Sequence, residues 1–204
     1  MSHPKGLVLM ILLSAGIVAG QNVGGPADAA QIRYVSNLAI GDSVINLTNA
    51  GSANSSSGAL TNICANVYTF APDEQLVSCC SCTVTPGALV SLSARSDLIS
   101  KTLTPGVPTA VVVKVVATTG TVCDASNVPA ANLTAGLRAW GTTLHALPTT
   151  PPTYRVTETA FSPAALSVAD LARITSFCGF IQANGSGYGI CRSCRLGGLG
   201  AVSQ

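Results

Sequence analysis

Eight cysteines constrain the fold of this 204-residue chain more than any other feature, because all of them follow an apolar N-terminal segment. They are Cys64, Cys79, Cys80, Cys82, Cys123, Cys178, Cys191 and Cys194. An even number of cysteines in an exported chain favours disulfides, although the sequence does not choose among the many possible pairings. A four-thiolate zinc site is the alternative, but C-C-x-C is not the usual spacing of structural zinc ligands. We therefore predict a disulfide-braced fold without metal ligands.

The N-terminal segment has the features of an export signal. Lys5 gives it a positive start, residues 7–19 are apolar or small, and a small-residue cleavage pattern precedes Gln21. The apolar stretch is shorter than the roughly 20 residues that span a bilayer. The alternatives are an uncleaved N-terminal anchor and a buried hydrophobic segment. We predict that residues 1–20 are a signal peptide, that the mature chain has no membrane span, and that the protein is secreted or held at the cell surface.

The low charge of the chain narrows its function. Only 9% of residues are charged and the formal net charge is +2, whereas a nucleic-acid surface needs clustered positive charge. Hydrophobic residues make up 48% of the chain, which is ample for a core. The scarcity of Glu and Lys excludes a coiled coil. Few acids and bases also leave few candidates for catalysis, so we expect no nucleic-acid partner, no enzyme and no cofactor.

Alternating and β-branched segments predict seven strands. They lie at residues 32–40, 43–49, 62–70, 75–85, 109–118, 137–147 and 154–161. Residues 86–99 fit either a short helix or a further strand. No repeating alternation of strands and helices is present, and this favours antiparallel sheets.

One helix is predicted near the C-terminus. Ser167 is a suitable N-cap with Asp170 three residues later, and Asn184-Gly185 can end the helix. Its apolar face consists of Leu171, Ile174, Cys178 and Ile181. We expect another cysteine (Cys79, Cys80, Cys123, Cys191 or Cys194) to join Cys178 and fasten this helix to a sheet. The sequence thus predicts a mainly β domain over residues 32–204, an Ig-like antiparallel β-sandwich with a C-terminal helix and a cysteine-containing tail, after a linker at 21–31.

The hairpin around residues 71–75 allows one disulfide to be predicted. If Phe70 lies opposite Leu76, stepping back along both strands places Cys64 opposite Cys82. Directly opposite residues have Cβ atoms about 4.5–5.5 Å apart, close to the distance a disulfide spans. A Cys64–Cys82 disulfide is therefore the hypothesis, and a shift of one residue in the register would exclude it.

Trp140 and His145 are the candidate ligand contacts. Trp140 is the single tryptophan, and His145 is the one histidine after the N-terminal segment. An exposed ring could stack on a glycan, and His145 could act as a general base in a secreted hydrolase. However, no serine lies in a G-x-S-x-G elbow, and the acids are too sparse for a glycosidase pair. We predict no catalytic residues.

Several strings resemble a family of uncharacterised secreted bacterial proteins. They are N-V-Y-T-F-A-P-D at 66–73, C-C-S-C-T-V-T-P at 79–86 and L-S-A-R-S-D-L at 92–98, together with the three C-terminal cysteines. The resemblance covers most of the mature chain and implies export and disulfides, but brings no activity with it. Residues 41–51 are also similar to the opening strands of Ig-like surface modules.

Together these observations favour a secreted, non-enzymatic structural or interaction protein of the cell surface or extracellular matrix. Its partner would be another extracellular protein or a second copy of itself. In one version it is a filament subunit, in which residues 32–40 add as a strand to a neighbour's open sheet edge. The alternatives are a secreted carbohydrate-binding module, with a glycan as partner, and a secreted hydrolase.

Overall fold

The computed structural model describes residues 22–51, 60–151 and 153–192, and the backbone of 195–196. Within these residues the chain forms ten strands and one α-helix. The strands are β1 (Ala30–Val35), β2 (Val44–Asn49), β3 (Ile63–Phe70), β4 (Leu76–Val84), β5 (Leu89–Ser93), β6 (Val111–Thr119), β7 (Leu137–Leu147), β8 (Thr153–Ala160), β9 (Ser162–Pro163) and β10 (Arg195–Leu196), and the helix is α1 (Val168–Asn184).

The strands form two five-stranded antiparallel sheets. The first sheet has the order β4-β3-β6-β1-β9, and the second has the order β10-β5-β2-β7-β8. Apolar side chains from both sheets, such as Val67 and Val113 from the first and Leu47 and Leu92 from the second, are fully buried in one core. The prediction of a mainly β antiparallel sandwich is confirmed, and the topology is compatible with an Ig-like sandwich.

Helix α1 covers the outer face of the first sheet. The Ser167 hydroxyl caps it by accepting the Asp170 N–H at 3.0 Å, and Gly185 ends it with a left-handed φ of 67°. The four side chains predicted on its inner face are all buried, namely Leu171, Ile174, Cys178 and Ile181. They form a second apolar cluster with Tyr68 and Cys79 of the sheet. The predicted helix and its buried face are therefore confirmed.

The hairpin between β3 and β4 corrects the predicted disulfide. Phe70 does lie opposite Leu76, but the register shifts at once, so that Thr69 lies opposite Ser78. The extra residue, Val77, is fully buried in the sandwich core, and its burial favours the bulge. Because of this bulge, Cys64 lies opposite Thr83 rather than Cys82. The Cys64–Cys82 hypothesis was wrong: Cys64 is bonded to Cys123.

The first strand is shorter than predicted and begins earlier. It ends at Val35, and Asn37 takes a positive φ of 58°, which interrupts extended backbone. The last two residues of the predicted linker, Ala30 and Gln31, belong to β1. The buried Gln31 side chain donates to the Leu137 carbonyl of the second sheet at 2.9 Å, which ties this end of the strand to the sandwich.

Residues 86–99, which the sequence left open, contain both kinds of structure. Strand β5 occupies Leu89–Ser93, and a single π-helical turn follows at Ala94–Leu98. The Ser93 hydroxyl accepts the N–H of Ser96 at 2.8 Å, and the Asp97 carboxylate accepts the N–H of Ser93 at 2.7 Å. These two bonds satisfy backbone donors where the strand turns into the helix.

The outer edge of β4 is covered by a later segment of the chain. The Cys79 N–H donates to the Gly189 carbonyl at 2.9 Å, and the Cys191 N–H donates to the Cys79 carbonyl at 3.1 Å. Both edge groups of Cys79 are thereby paired. The Cys80–Cys191 disulfide holds this segment against the strand.

Candidate functional site

Three disulfides that join pairs of described residues brace the first sheet. Cys64–Cys123 ties β3 to the segment after β6, Cys79–Cys178 ties β4 to α1, and Cys80–Cys191 ties β4 to the segment after α1. Cys79 and Cys80 are neighbours on one strand, so their side chains point to opposite faces. Cys79–Cys178 is one of the pairings expected for the helix, and it is confirmed. Because these six sulfurs are in disulfides, they are not available as zinc thiolates.

Cys82 and Cys194 complete the eight cysteines of the chain. Cys82 is also disulfide-bonded, and Cys194 lies outside the described residues. The C-x-x-C at 191–194 does not act as a redox pair, because Cys191 is bonded to Cys80. In the described part of the chain, no group of three or more His, Cys, Asp or Glu side chains is placed to hold a metal ion.

Trp140 and His145 do not share a site. Both lie on β7, five residues apart, so their side chains point to opposite faces of the second sheet. His145 is exposed, and its Nε2 lies 2.8 Å from the Thr157 hydroxyl. Arg155 stands directly opposite His145 on β8. The described contacts of His145 therefore include a hydroxyl and no carboxylate, and the hydrolase stays an untested prediction.

Trp140 lies on the outer face of the second sheet, half-buried beside a polar row. Asn46 stands directly opposite it on β2. The Asn46 side chain accepts from the Ser91 hydroxyl at 2.6 Å and donates to the Glu158 carboxylate at 3.1 Å. These bonds fix polar groups from three strands around one aromatic ring.

Strand β8 is the last strand of the second sheet on its side among the described residues, and all eight of its residues are exposed. We call its free side the open edge. The Phe161 N–H, just beyond the strand, donates to the Ala139 carbonyl at 2.8 Å. Backbone groups alternate along an antiparallel strand, so the odd-numbered residues of β8 bond to β7. The even-numbered residues point their N–H and C=O groups away from β7, at the open edge. They are Tyr154, Val156, Glu158 and Ala160.

A groove of about 420 Å³ runs beside this edge, between the two sheets. Residues 32–34 of β1 line one wall, and Thr143, Thr159 and Ala160 line the other. Beyond Ile32, no described strand pairs with β1 on this side, because β9 pairs only with Gln31 and Ile32. The groove therefore lies where neither sheet has a further described strand at its edge.

Arg33 reaches across this groove from β1 to the second sheet. It is only 7% exposed. Its Nη1 donates to the carbonyl and hydroxyl oxygens of Thr159, both at 2.7 Å, and its Nη2 donates to the Thr143 hydroxyl at 2.6 Å. Burial lowers the pKa of Arg33, and the charge of Glu158 partly offsets this. Glu158 itself lies on the opposite face of β8, where it binds Asn46.

A glycine makes room for the Arg33 side chain. A Cβ atom at Gly141 would lie 3.2 Å from Arg33 Nε and 2.9 Å from the Val44 carbonyl oxygen. The Nε atom itself is buried and has no hydrogen-bond partner. Neither Arg33 nor the open edge of β8 was recognised from the sequence. A charged residue inside the otherwise extended string at 32–35 was the one available signal.

Comparisons with protein-family models, with curated proteins and with solved structures find no match to this chain. The resemblance noted from the sequence therefore stays an expectation. No helix in the described residues is long and apolar enough to cross a membrane.

Proposed function

We propose that this protein is a secreted, non-enzymatic structural or interaction protein of the cell surface or extracellular matrix, and that it associates through the open edge of β8. The edge strand carries the proposal. An exposed strand presents a row of unpaired backbone groups, which is a template for pairing with another chain. Strand β8 offers four such residues, at alternate positions, and contains no proline to block them.

Export rests on the predicted signal at residues 1–20 and on the disulfides. Disulfides persist in oxidising compartments and are rare in the cytosol. Three of them close long stretches of this chain.

A filament subunit is the version of this function in which the partner is a second copy. The donor segment first considered, residues 32–40, is not free for this role. All six residues of β1 pair with β6 in the protein's own sheet. The association therefore depends on β8, whose edge groups are open.

A proline substitution tests the edge directly. The Val156 N–H points away from β7, so Val156→Pro removes an edge donor without breaking a bond to β7. Val156→Thr is the matched control, because it keeps the N–H and a β-branched side chain. We expect the wild type and Val156→Thr to form oligomers or filaments in sedimentation velocity and electron microscopy, and Val156→Pro to be monomeric.

Two results would contradict the proposal. A wild type that stays monomeric at the highest concentration reached would exclude self-association. Assemblies that form equally well with Val156→Pro would place the contact elsewhere. Far-ultraviolet circular dichroism of each variant confirms that the fold is retained.

A carbohydrate-binding module is the second candidate, and the surroundings of Trp140 favour it. An aromatic ring with fixed polar neighbours can stack on a sugar and hydrogen-bond its hydroxyls. A glycan array tests this function, with Trp140→Ala expected to lose binding. His145→Ala is the matched control, because His145 lies on the opposite face of the same strand. Glycan binding that survives Trp140→Ala would exclude this site.

A further inference from the structure

Arg33 is a buried cation that no carboxylate of the described residues contacts. The charge of Glu158 acts on it from the opposite face of β8, and its guanidinium carbon lies 5.9 Å from the centre of the Phe161 ring. Arg33 is 7% exposed, and its hydrogen bonds go to neutral oxygens of Thr143 and Thr159. A guanidinium has five N–H donors. Three are used here, and the two that remain include the one on Nε.

This arrangement is costly for the isolated protein. A buried charge is normally paired, because removing it from water costs several kcal/mol. Neutral hydroxyls compensate the charge less well than a carboxylate, which binds arginine through charge-assisted and often bidentate hydrogen bonds. The site is therefore complementary to an anion that the described protein does not supply.

Arg33 lies close to the position that a strand added to β8 would occupy. A strand added to β8 would lie about 4.8 Å from it, along the mouth of the groove. Alternate side chains of the added strand would point inward, on the same face as Thr157 and Thr159. That face lines the groove into which Arg33 extends. An inward side chain of the added strand would thus enter the groove beside the guanidinium.

We infer that the β8 edge binds an extended peptide segment whose inward-facing acidic side chain pairs with Arg33. The inference rests on the proposed association through β8, and it names the chemistry of the partner. Backbone bonds to the edge hold the segment, and the carboxylate in the groove selects it. Arg33 is already buried in the free protein, so binding of the carboxylate adds no further desolvation cost for the guanidinium.

Selection from a phage library of random linear peptides tests the inference. The oxidised wild-type protein is compared with Arg33→Met, Arg33→Lys and Arg173→Gln. Arg33→Met removes the charge. Arg33→Lys keeps the charge and is the second variant to use if Arg33→Met does not fold. Arg173 is an exposed arginine on α1, far from β8, and serves as the control. We expect an acidic residue among alternating β-branched residues for every protein except Arg33→Met.

A selected peptide and its analogue with the acid changed to the amide are then measured by fluorescence anisotropy. We expect the amide to bind the wild type about tenfold more weakly, which is about 1.4 kcal/mol, because the amide loses the charge-assisted hydrogen bond to the guanidinium. On Arg33→Met the two peptides should bind equally. The inference is overturned if no peptide is selected, if acids are not enriched, or if the acid preference survives Arg33→Met.

Val156→Pro separates this inference from the proposed function. If the selected acidic peptides bind Val156→Pro as well as the wild type, the edge is not their site and the inference fails. Suppose that the wild type does not self-associate, but that acidic peptides bind it and lose binding in both Arg33→Met and Val156→Pro. Self-association is then excluded, and the inference stands. If assemblies depend on the edge but not on Arg33, the proposed function stands alone.

Discussion

Two of the disulfides, Cys79–Cys178 and Cys80–Cys191, start from adjacent residues of β4. This arrangement predicts that Cys79–Cys178 contributes less to the free energy of unfolding than Cys64–Cys123 does. Cys79–Cys178 closes a loop with a sequence separation of 99, and Cys80–Cys191 closes one of 111. In the chain-entropy account a loop near 99 residues corresponds to about 4.7 kcal/mol. That figure applies only if no other cross-link already holds the two ends together.

Cys80–Cys191 does hold them together. With this disulfide intact, the route from Cys79 to Cys178 takes one residue along β4 and thirteen from Cys191 back to Cys178. The effective loop is therefore about 14 residues, and losing Cys79–Cys178 should cost about 3 kcal/mol. Cys64–Cys123 has a separation of 59, and the routes through Cys79–Cys178 and Cys80–Cys191 are longer. Its loss should cost about 4.2 kcal/mol, although its separation is the shorter one.

Urea unfolding of two double variants checks this order. Cys79→Ala/Cys178→Val and Cys64→Ala/Cys123→Val each replace a disulfide by a pair of similar volume, which limits the loss of packing. We expect the second variant to be the less stable one by about 1 kcal/mol, from the difference in loop entropy. If the first variant is equally or more destabilised, the reasoning from the shared attachment on β4 is refuted.

Two further predictions concern buried side chains. Gly141→Ala should lower the free energy of unfolding in urea by about 1–3 kcal/mol, because its Cβ would press on the Val44 carbonyl and on Arg33; unchanged stability would contradict the close contact. Tyr68→Phe should remove part of the pH dependence above pH 10. Burial raises the pKa of Tyr68, so the folded state keeps its proton while the unfolded state loses it near pH 10, and stability falls as pH rises through this range. Parallel stability curves for wild type and Tyr68→Phe from pH 8 to 11 would exclude this contribution.

Features set by neighbouring residues could be predicted from the sequence. The helix α1 was recognised with its cap at Ser167, its end before Gly185 and its buried face. Each of these depends on side chains within a turn or two of one another, so the local pattern contains the information. Strand β7 at Leu137–Leu147 likewise coincides with its predicted range.

Features set by distant parts of the chain could not. The bulge at Val77 arises because the side chain enters the core between the sheets, and the hairpin sequence alone does not contain that core. One residue of shift was enough to separate Cys64 from Cys82. The same limit applies to the candidate site. The string at 154–161 predicts a strand, but only the order of the strands makes it an edge. Only the packing of the two sheets brings the Arg33 side chain against Gly141.

The long edge strands β4 and β8 differ in whether a described segment covers them, and this difference supports the proposed role of β8. On β4, both backbone groups of Cys79 are paired by the segment at residues 189–191, and a disulfide to Cys191 keeps that cover in place. Proteins protect edge strands in this way because an uncovered edge invites pairing with other chains. No described segment covers the free side of β8, although Phe161 directs the chain into β9 immediately after it. The proposed partner strand rests on this contrast. One edge is held closed by a covalent bond, whereas the other is covered by no described segment and lies beside a buried arginine that no described carboxylate contacts.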